Sequence, residues 1–290
     1  MNDQLLKKFH SDGYVVIRNL FSSEEITDLR KAFNKMREYC VNNNLLNVQK
    51  DSPNLYLLKG DLCSYHQLRF LNYLVFEPRI LSAVKKLIGE EIVYFGESNT
   101  QSGPTLGGFH KDNRVCDREN EAGLDFVGDY PLVRVGIYLQ DSDIYSGGLK
   151  IVPGSHKIPT SKFRIGGNNI AAKAGDIVVW KLTTTHSGHA KRLKILNNIS
   201  LHPRIESYIP SLLENINPIE RMAMFIVYGA KSKHLDRYIE YFKNREDYKD
   251  YLSYAGKTEY IDMLASKVNL QLVRPIADYG ANQNLFEQLT

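Results

Sequence analysis

The run Gly108-Phe109-His110-Lys111-Asp112-Asn113 and, well downstream, Thr184-Thr185-His186-Ser187-Gly188 hold the residues best suited to chemistry. His110 and Asp112 are two positions apart. On a strand or extended turn, where successive side chains alternate, that spacing sends both to one side. A second imidazole from another strand, His186, completes a set of two histidines and one carboxylate. Such a set occupies one face of a ferrous ion and leaves the rest open, as non-haem iron oxygenases require. The open positions hold a bidentate co-substrate and dioxygen together. A His-x-Asp pair alone is a weak signal, since polar loops produce it by chance. The plainer reading of His110 is a loop histidine beside Lys111, and of His186 a histidine capping a Thr-rich strand end. His156 and His189 compete as ligands. His189 is three residues past His186, where a role beside the ligands or on substrate suits it better.

The context raises the metal reading. Ser146-Gly147-Gly148-Leu149-Lys150-Ile151-Val152-Pro153-Gly154-Ser155-His156 lies between the two halves, and Gly175-Asp176-Ile177-Val178-Val179-Trp180 leads into His186. Phe9-His10-Ser11-Asp12-Gly13-Tyr14-Val15-Val16-Ile17 and Phe21-Ser22-Ser23-Glu24-Glu25-Ile26 open the chain. With these motifs in this order, the sequence resembles the phytanoyl-CoA dioxygenase family of Fe(II)/2-oxoglutarate oxygenases over roughly residues 5–205.

The resemblance implies Fe(II), 2-oxoglutarate as co-substrate and O2. It implies His110, Asp112 and His186 as the metal ligands and catalytic centre, and His156 as a structural corner. The implied reaction is hydroxylation of a small-molecule metabolite, with release of succinate and CO2. Asp112 fills the place that Gly or Ala leaves open for halide in a halogenase, so hydroxylation, desaturation or ring closure is favoured over halogenation. One departure stands out. The family anchors the far carboxylate of 2-oxoglutarate with an Arg about ten residues after the distal His, at the start of the last barrel strand; here that place holds Leu196 or Asn197. Arg192 and Lys194 share the parity of Leu196 if the strand extends back to them. Arg192 ranks slightly ahead because its fork matches a carboxylate. The plainer reading is that both are exposed turn charges. Arg134, a charge inside an apolar run, needs a partner. It points at co-substrate or substrate, or pairs with an acid such as Asp176. Asn99 and Gln101, on the strand before His110, are further candidates for hydrogen bonds to 2-oxoglutarate or substrate, or simply a polar strand end. Thr183, Thr184 and Thr185 read mainly as strand formers, and Trp180 as core. The rival reading is a catalytically altered cupin-fold protein that binds metal or a ligand without turning over 2-oxoglutarate, for which the missing Arg is the best support. A metal-free epimerase on the same roll ranks below both, because it has no use for His-x-Asp.

Composition narrows the field. The 37 basic and 33 acidic residues give a net charge of +4 and form no dense basic stripe, which argues against nucleic acid. Three cysteines, Cys40, Cys63 and Cys116, are too few for a disulfide framework and fit a reducing compartment. Neither an apolar leader nor a run of membrane-spanning length is present, so a cytoplasmic protein without a membrane partner is expected. The substrate is not legible. Gly103-Pro104-Thr105-Leu106-Gly107-Gly108 and Gly166-Gly167-Asn168-Asn169 lack the strand–glycine–helix context of a phosphate cradle. The acidic stretch 114–130 after Asp112 reads as a loop that covers the pocket, or as a solvated insertion.

These residues need a scaffold. A short helix over 2–10 and a strand over 14–17 are expected at the start. Ser22-Ser23-Glu24-Glu25 then opens a helix whose Ile26, Leu29, Phe33 and Met36 form one apolar face. Another helix is expected over about 77–89. From Ile92 the pattern becomes short apolar runs between Gly, Pro and Asp turns: 92–95, 132–139, 148–152, 177–180 and 195–201 read as strands. With the resemblance added, the expected fold is mainly β with flanking α. Its core is a double-stranded β-helix (a cupin-like jelly roll) over 91–203, with a helical N-terminal part over 1–90 and a helical extension over 204–290, all one oxygenase domain 1–290. In the extension 219–228 and 235–242 read as helices. Tyr238, Tyr241, Tyr248, Tyr251 and Tyr254 read as helix packing with phenols at the rim, ahead of an aromatic binding surface. The extension is a candidate lid or homodimer contact; the oligomeric state is open.

Overall fold

The structure is a computed structural model that describes residues 3–49, 52–58, 61–64, 69–103, 107–114, 123–160, 167–188, 190–196, 199–245 and 259–273. In chain order the elements are α1 (Asp3–Asp12), β1 (Tyr14–Ile17), α2 (Ser23–Asn42), β2 (Leu46–Gln49), β3 (Ser52–Leu58), α3 (Arg69–Asn72), α4 (Pro78–Ile88), β4 (Ile92–Tyr94), β5 (Ser98–Ser102), β6 (Leu132–Tyr138), β7 (Lys150–Ile151), β8 (Asn168–Asn169), β9 (Ile177–Lys181), β10 (His186–Ser187), α5 (Pro203–Glu206), β11 (Met222–Ala230), α6 (Lys233–Lys243), α7 (Glu259–Lys267) and β12 (Gln271–Leu272).

Two sheets face each other. The large one runs β1-β9-β6-β11-β5-β3-β2, with β4 and β12 attached beside β11. The small one is β10-β7-β8. Alternation along β6, β9 and β11 divides the large sheet into two faces. Val133, Val135, Ile137, Ile177, Val179, Met224 and Ile226 join the helices α1, α2 and α4 in the main core. Tyr138, Val178, Trp180, Ala223 and Phe225 point the other way and meet Leu149, Ile151 and Ile170 between the sheets. A third cluster packs Leu235, Tyr238 and Phe242 of α6 against Val93, Phe95, Leu132 and Val227, and so closes one end of the roll.

Helix α2 starts as its sequence demands. Ser22 Oγ accepts from Glu25 N and the Glu25 carboxylate accepts from Ser22 N, a reciprocal capping box. Pro78 occupies the first turn of α4, where its missing N–H costs nothing.

Two expectations are corrected. The stretch 219–228 is not a helix: it contributes most of β11, which lies at the centre of the large sheet between β6 and β5. Every residue of β11 is buried. A strand covered on both faces loses its apolar–polar alternation and reads like a buried helix. The roll therefore draws its central strand from the segment expected to be a helical extension. Conversely, the described residues of 195–201 form no strand. They belong to an excursion, tied down by Lys194 N to Leu213 O and Asn215 N to Arg192 O, that separates β10 from β11. Tyr238 is wholly buried, which fits helix packing; Tyr248, Tyr251 and Tyr254 lie outside the described residues. Among the described residues no helix is long and apolar enough to cross a membrane.

Candidate metal centre

The three sequence candidates meet because of one β-bridge. His110 and His186 pair antiparallel, each N–H donating to the other's carbonyl at 2.9 Å. Residues directly opposite in such a pair carry their side chains on the same face. The two imidazole centroids are 4.4 Å apart. Asp112, two residues on, returns to that face. The odd-numbered neighbours go behind: Lys111 Nζ donates to the carbonyls of Ser155 and Thr183, and Asn113 Nδ2 donates to Asp125 Oδ2 and Tyr130 Oη. These buried bonds pin the ligand segment, so Lys111 is no surface loop charge. The result places one potential ligand atom from each of His110, Asp112 and His186 within 4.8 Å of the others.

The protonation states suit a metal. His110 Nδ1 lies 3.0 Å from Gly108 O, and His186 Nδ1 lies 3.0 Å from Thr184 O. A carbonyl only accepts, so each Nδ1 carries a proton and each Nε2 is the nitrogen turned to the centre. Burial, reinforced by His110 and opposed by Asp112, pushes the His186 imidazole down to about 4, so it is neutral at pH 7. Burial alone would raise Asp112. Arg134, His186, His110 and the Trp180 N–H outweigh it and bring the carboxyl down to about 2. Two imidazoles and one ionised carboxylate form the donor set that ferrous iron takes.

The remaining candidates fall into place one by one. Arg134 reaches Asp112 Oδ1 at 3.0 Å and Glu97 Oε1 at 2.8 Å. The alternative partner Asp176 is instead held by Arg18 at 2.6 Å. Asn99 and Gln101 lie on β5 opposite Phe225 and Ala223, and hence face the space between the sheets. Gln101 Oε1 accepts from Arg221, and among the described residues the buried Asn99 Oδ1 has no partner. Arg192 donates to the backbone carbonyls of Ser142 and Asn169, and Lys194 is exposed. Neither stands on a barrel strand, so the parity argument that recommended them fails with the missing 195–201 strand. His156 is buried at a corner, its Nε2 3.2 Å from His10 O. His189 lies outside the described residues, as do 115–122 of the expected covering loop. The rest of that loop is fixed through Asp125, which takes His234 and Arg237 of α6.

Sequence reasoning missed Arg221. It immediately precedes β11, the last strand of the roll, and shares the parity of Ala223 and Phe225. It is buried, with bonds to Gly147 O at 2.9 Å and Gln101 Oε1 at 3.3 Å. Among the described residues no carboxylate pairs with it. Burial lowers its guanidinium to about 10, Tyr138 opposing. Tyr138 is within electrostatic reach of both Arg221 and the Asp112–Arg134 pair. The usable signal was Arg221 at the head of an apolar run, legible only if that run is taken as a strand. Glu97 was also missed, and nothing in its local sequence marks it.

Comparison with known proteins bears on the family and the fold. The model of the phytanoyl-CoA dioxygenase family matches residues 9–192, well over half of the chain. The chain belongs to the phytanoyl-CoA dioxygenase family. An ectoine dioxygenase from Bordetella bronchiseptica is 24% identical over 164 residues, 52% of this chain and 48% of the relative. The match thus spans about half the length of that relative. Among solved structures, HygX from Streptomyces hygroscopicus, with nickel, 2-oxoglutarate and hygromycin B bound, superposes with a TM-score of 0.54 at 16% identity, covering 80% of this chain and 88% of its own. The non-haem α-ketoglutarate-dependent epimerase SnoN from nogalamycin biosynthesis gives 0.54 at 16% identity, over 79% and 82%. At that identity these structures show that the family member shares their double-stranded β-helix.

Proposed function

We propose that this protein is an Fe(II)/2-oxoglutarate-dependent dioxygenase that hydroxylates a small-molecule metabolite. The observation that carries the reading is the His110–Asp112–His186 face, with Nδ1 of each histidine tied to a carbonyl and the carboxylate ionised. Iron with 2-oxoglutarate and dioxygen supplies the oxidising chemistry when bound, the co-substrate leaving as succinate and CO2. The chain's own residues hold and orient. His110, Asp112 and His186 present three ligands on one side and leave the opposite side for co-substrate and oxygen. Arg221 is the cation for the far carboxylate of 2-oxoglutarate. A buried guanidinium without an acid partner is costly, and a dianionic ligand removes that cost. Gln101 steadies Arg221, and Asn99 Oδ1, without a partner among the described residues, is an acceptor for a substrate or co-substrate donor. Trp180, Phe225 and Tyr138 make the surrounding wall apolar and exclude water.

Arg221 supplies what the altered-cupin alternative took to be missing. A reducing, cytoplasmic setting belongs to the same reading, since it keeps iron ferrous and leaves Cys40 and Cys63 as free thiols. The test is succinate formation from 2-oxoglutarate with Fe(II) and air, followed with and without candidate metabolites. Asp112→Ala is expected to abolish the turnover and leave the fold largely intact, as read from its circular dichroism. Undiminished turnover in that variant contradicts the assignment.

A further inference from the structure

The Asp112 carboxylate is held at both oxygens by different donors. Oδ1 is 3.6 Å from His186 Nε2 and so is turned toward the metal centre; Arg134 Nη1 also reaches it at 3.0 Å. Oδ2 is turned away and accepts from Trp180 Nε1 at 3.1 Å. A carboxylate oxygen has two lone pairs, so Oδ1 serves Arg134 and a metal at once. The bond from the indole to Oδ2 opposes rotation of that oxygen toward the centre.

We propose that Trp180 and Arg134 are positioning residues: Trp180 holds Oδ2 of Asp112 away so that one oxygen faces the metal, which keeps enough of the coordination sphere free for a bidentate keto acid together with dioxygen, and Arg134 fixes the direction of that facing oxygen. The inference rests on the metal-site reading above. It goes further by assigning a role to two residues that touch neither substrate nor metal.

The surroundings are built for this clamp. A buried indole N–H takes any acceptor it can find, and that alone would not single out Asp112. The neighbouring strand, however, makes room for this particular ring position. Gly136 sits in the middle of β6, where glycine weakens a strand. A Cβ there would lie 2.9 Å from Trp180 Cζ3 and 3.2 Å from Cη2. The indole thus lies across β6 only because residue 136 has no side chain. Phe225 packs edge-on at 6.1 Å, and the His186 ring lies 5.3 Å away. Arg134 is fixed in turn. Glu97 holds its other nitrogen at 2.8 Å, and Glu97 is itself held by Tyr238 Oη at 2.8 Å and by Arg245 Nη1 at 3.5 Å. Glu97, shared between Arg134 and Arg245, fixes the direction of the Arg134 guanidinium that orients Asp112.

The experiment uses the full chain, freed of metal and kept anaerobic. Fe(II) is titrated in first, then 2-oxoglutarate, whose chelation is read from the visible charge-transfer absorption of the complex. Wild type is expected to take one equivalent of each. In Trp180→Phe the carboxylate is released to use both oxygens. Iron affinity is expected to stay within about 3-fold, while 2-oxoglutarate affinity falls about 10-fold or more, in the range that outer partners of metal ligands command. Gly136→Ala, which keeps the indole but tilts it, is expected to shift the two affinities in the same pattern. Arg134→Lys keeps the charge but spans one carboxylate instead of two, and is expected to weaken iron about 10-fold. Thermal unfolding of each metal-free variant separates positioning from stability. Iron and 2-oxoglutarate affinities that fall together, in step with lost stability, or a 2-oxoglutarate affinity that does not change in Trp180→Phe and Gly136→Ala, overturn the inference. Failure of wild type to bind iron overturns the metal site and this inference with it, whereas wild-type binding with unaltered variants overturns this inference alone.

Discussion

Asp112 and Arg221 illustrate what single residues contribute and how unequally they announce themselves. Asp112 was legible because its distance from His110 matches the strand period, and the downstream His186 completes a donor set with few other uses. Arg221 was not. Ten residues past His186 the chain enters the excursion that precedes β11, so counting forward lands on Leu196 instead of the strand start. What identifies Arg221 is a property that sequence does not display: a buried guanidinium with a carbonyl and an amide oxygen around it and no described carboxylate. Removal of that charge is expected to raise the KM for 2-oxoglutarate about 10- to 100-fold in Arg221→Ala, in line with the loss of a charge-assisted bond worth about 1.5–3 kcal/mol. Arg192→Ala and Lys194→Ala serve as comparisons and are expected to leave that KM within about 2-fold. A steady-state series in 2-oxoglutarate decides, and a KM that moves with Lys194 instead of Arg221 contradicts the placement.

At the scale of elements, the site is a product of strand geometry. One bridge between His110 and His186 and one two-residue step to Asp112 assemble the triad, without any long side-chain reach. Elements with strong local grammar were read correctly. The capping box of Ser22 and Glu25 and the Ile26–Leu29–Phe33–Met36 stripe give α2, and Pro78 opens α4. The strand β11 defeated the reading because burial on both faces erases alternation, and its neighbours in the sheet come from far away in sequence. The 195–201 run was apolar for another reason. Ile195 is 90% exposed and so reports no core position at all. Local grammar has a measurable worth. Ser22→Ala removes the box and is expected to cost about 1 kcal/mol of stability, with no change in iron affinity. Chemical denaturation measures the first and metal titration the second; a cost near zero would mean that packing alone fixes the start of α2.

Across the whole molecule, separate segments are tied to the roll by buried polar groups. The N-terminal helix α1 ends against the corner at His156, whose Nε2 contacts His10 O and whose ring leaves no space for a side chain at Gly13. Burial, with Lys181 and Lys157 adding repulsion, pushes this imidazole down to about 4 from 6.5. An unfolded chain takes up the proton near pH 6.5 and the folded protein only near 4. Stability is therefore complete above about pH 6.5 and is lost as pH falls toward 4, by up to about 3 kcal/mol for this group. His186 adds a loss of the same sign in metal-free protein. Denaturation series between pH 7 and pH 4.5 are expected to show a shallower decline for His156→Gln than for wild type; identical slopes would remove His156 from the account. At the other end, α6 carries Tyr238 to Glu97 and Arg237 to Asp125, which joins the segment after β11 to Arg134 and, through Asn113, to the stretch that carries His110 and Asp112.

The most direct test is anomalous diffraction from crystals grown without oxygen in the presence of Fe(II) and N-oxalylglycine, an unreactive stand-in for 2-oxoglutarate. The account predicts one iron peak bound by His110 Nε2, His186 Nε2 and a single oxygen of Asp112, with the far carboxylate of the ligand on Arg221. Iron bound elsewhere, or a ligand carboxylate resting on a different cation, would contradict it.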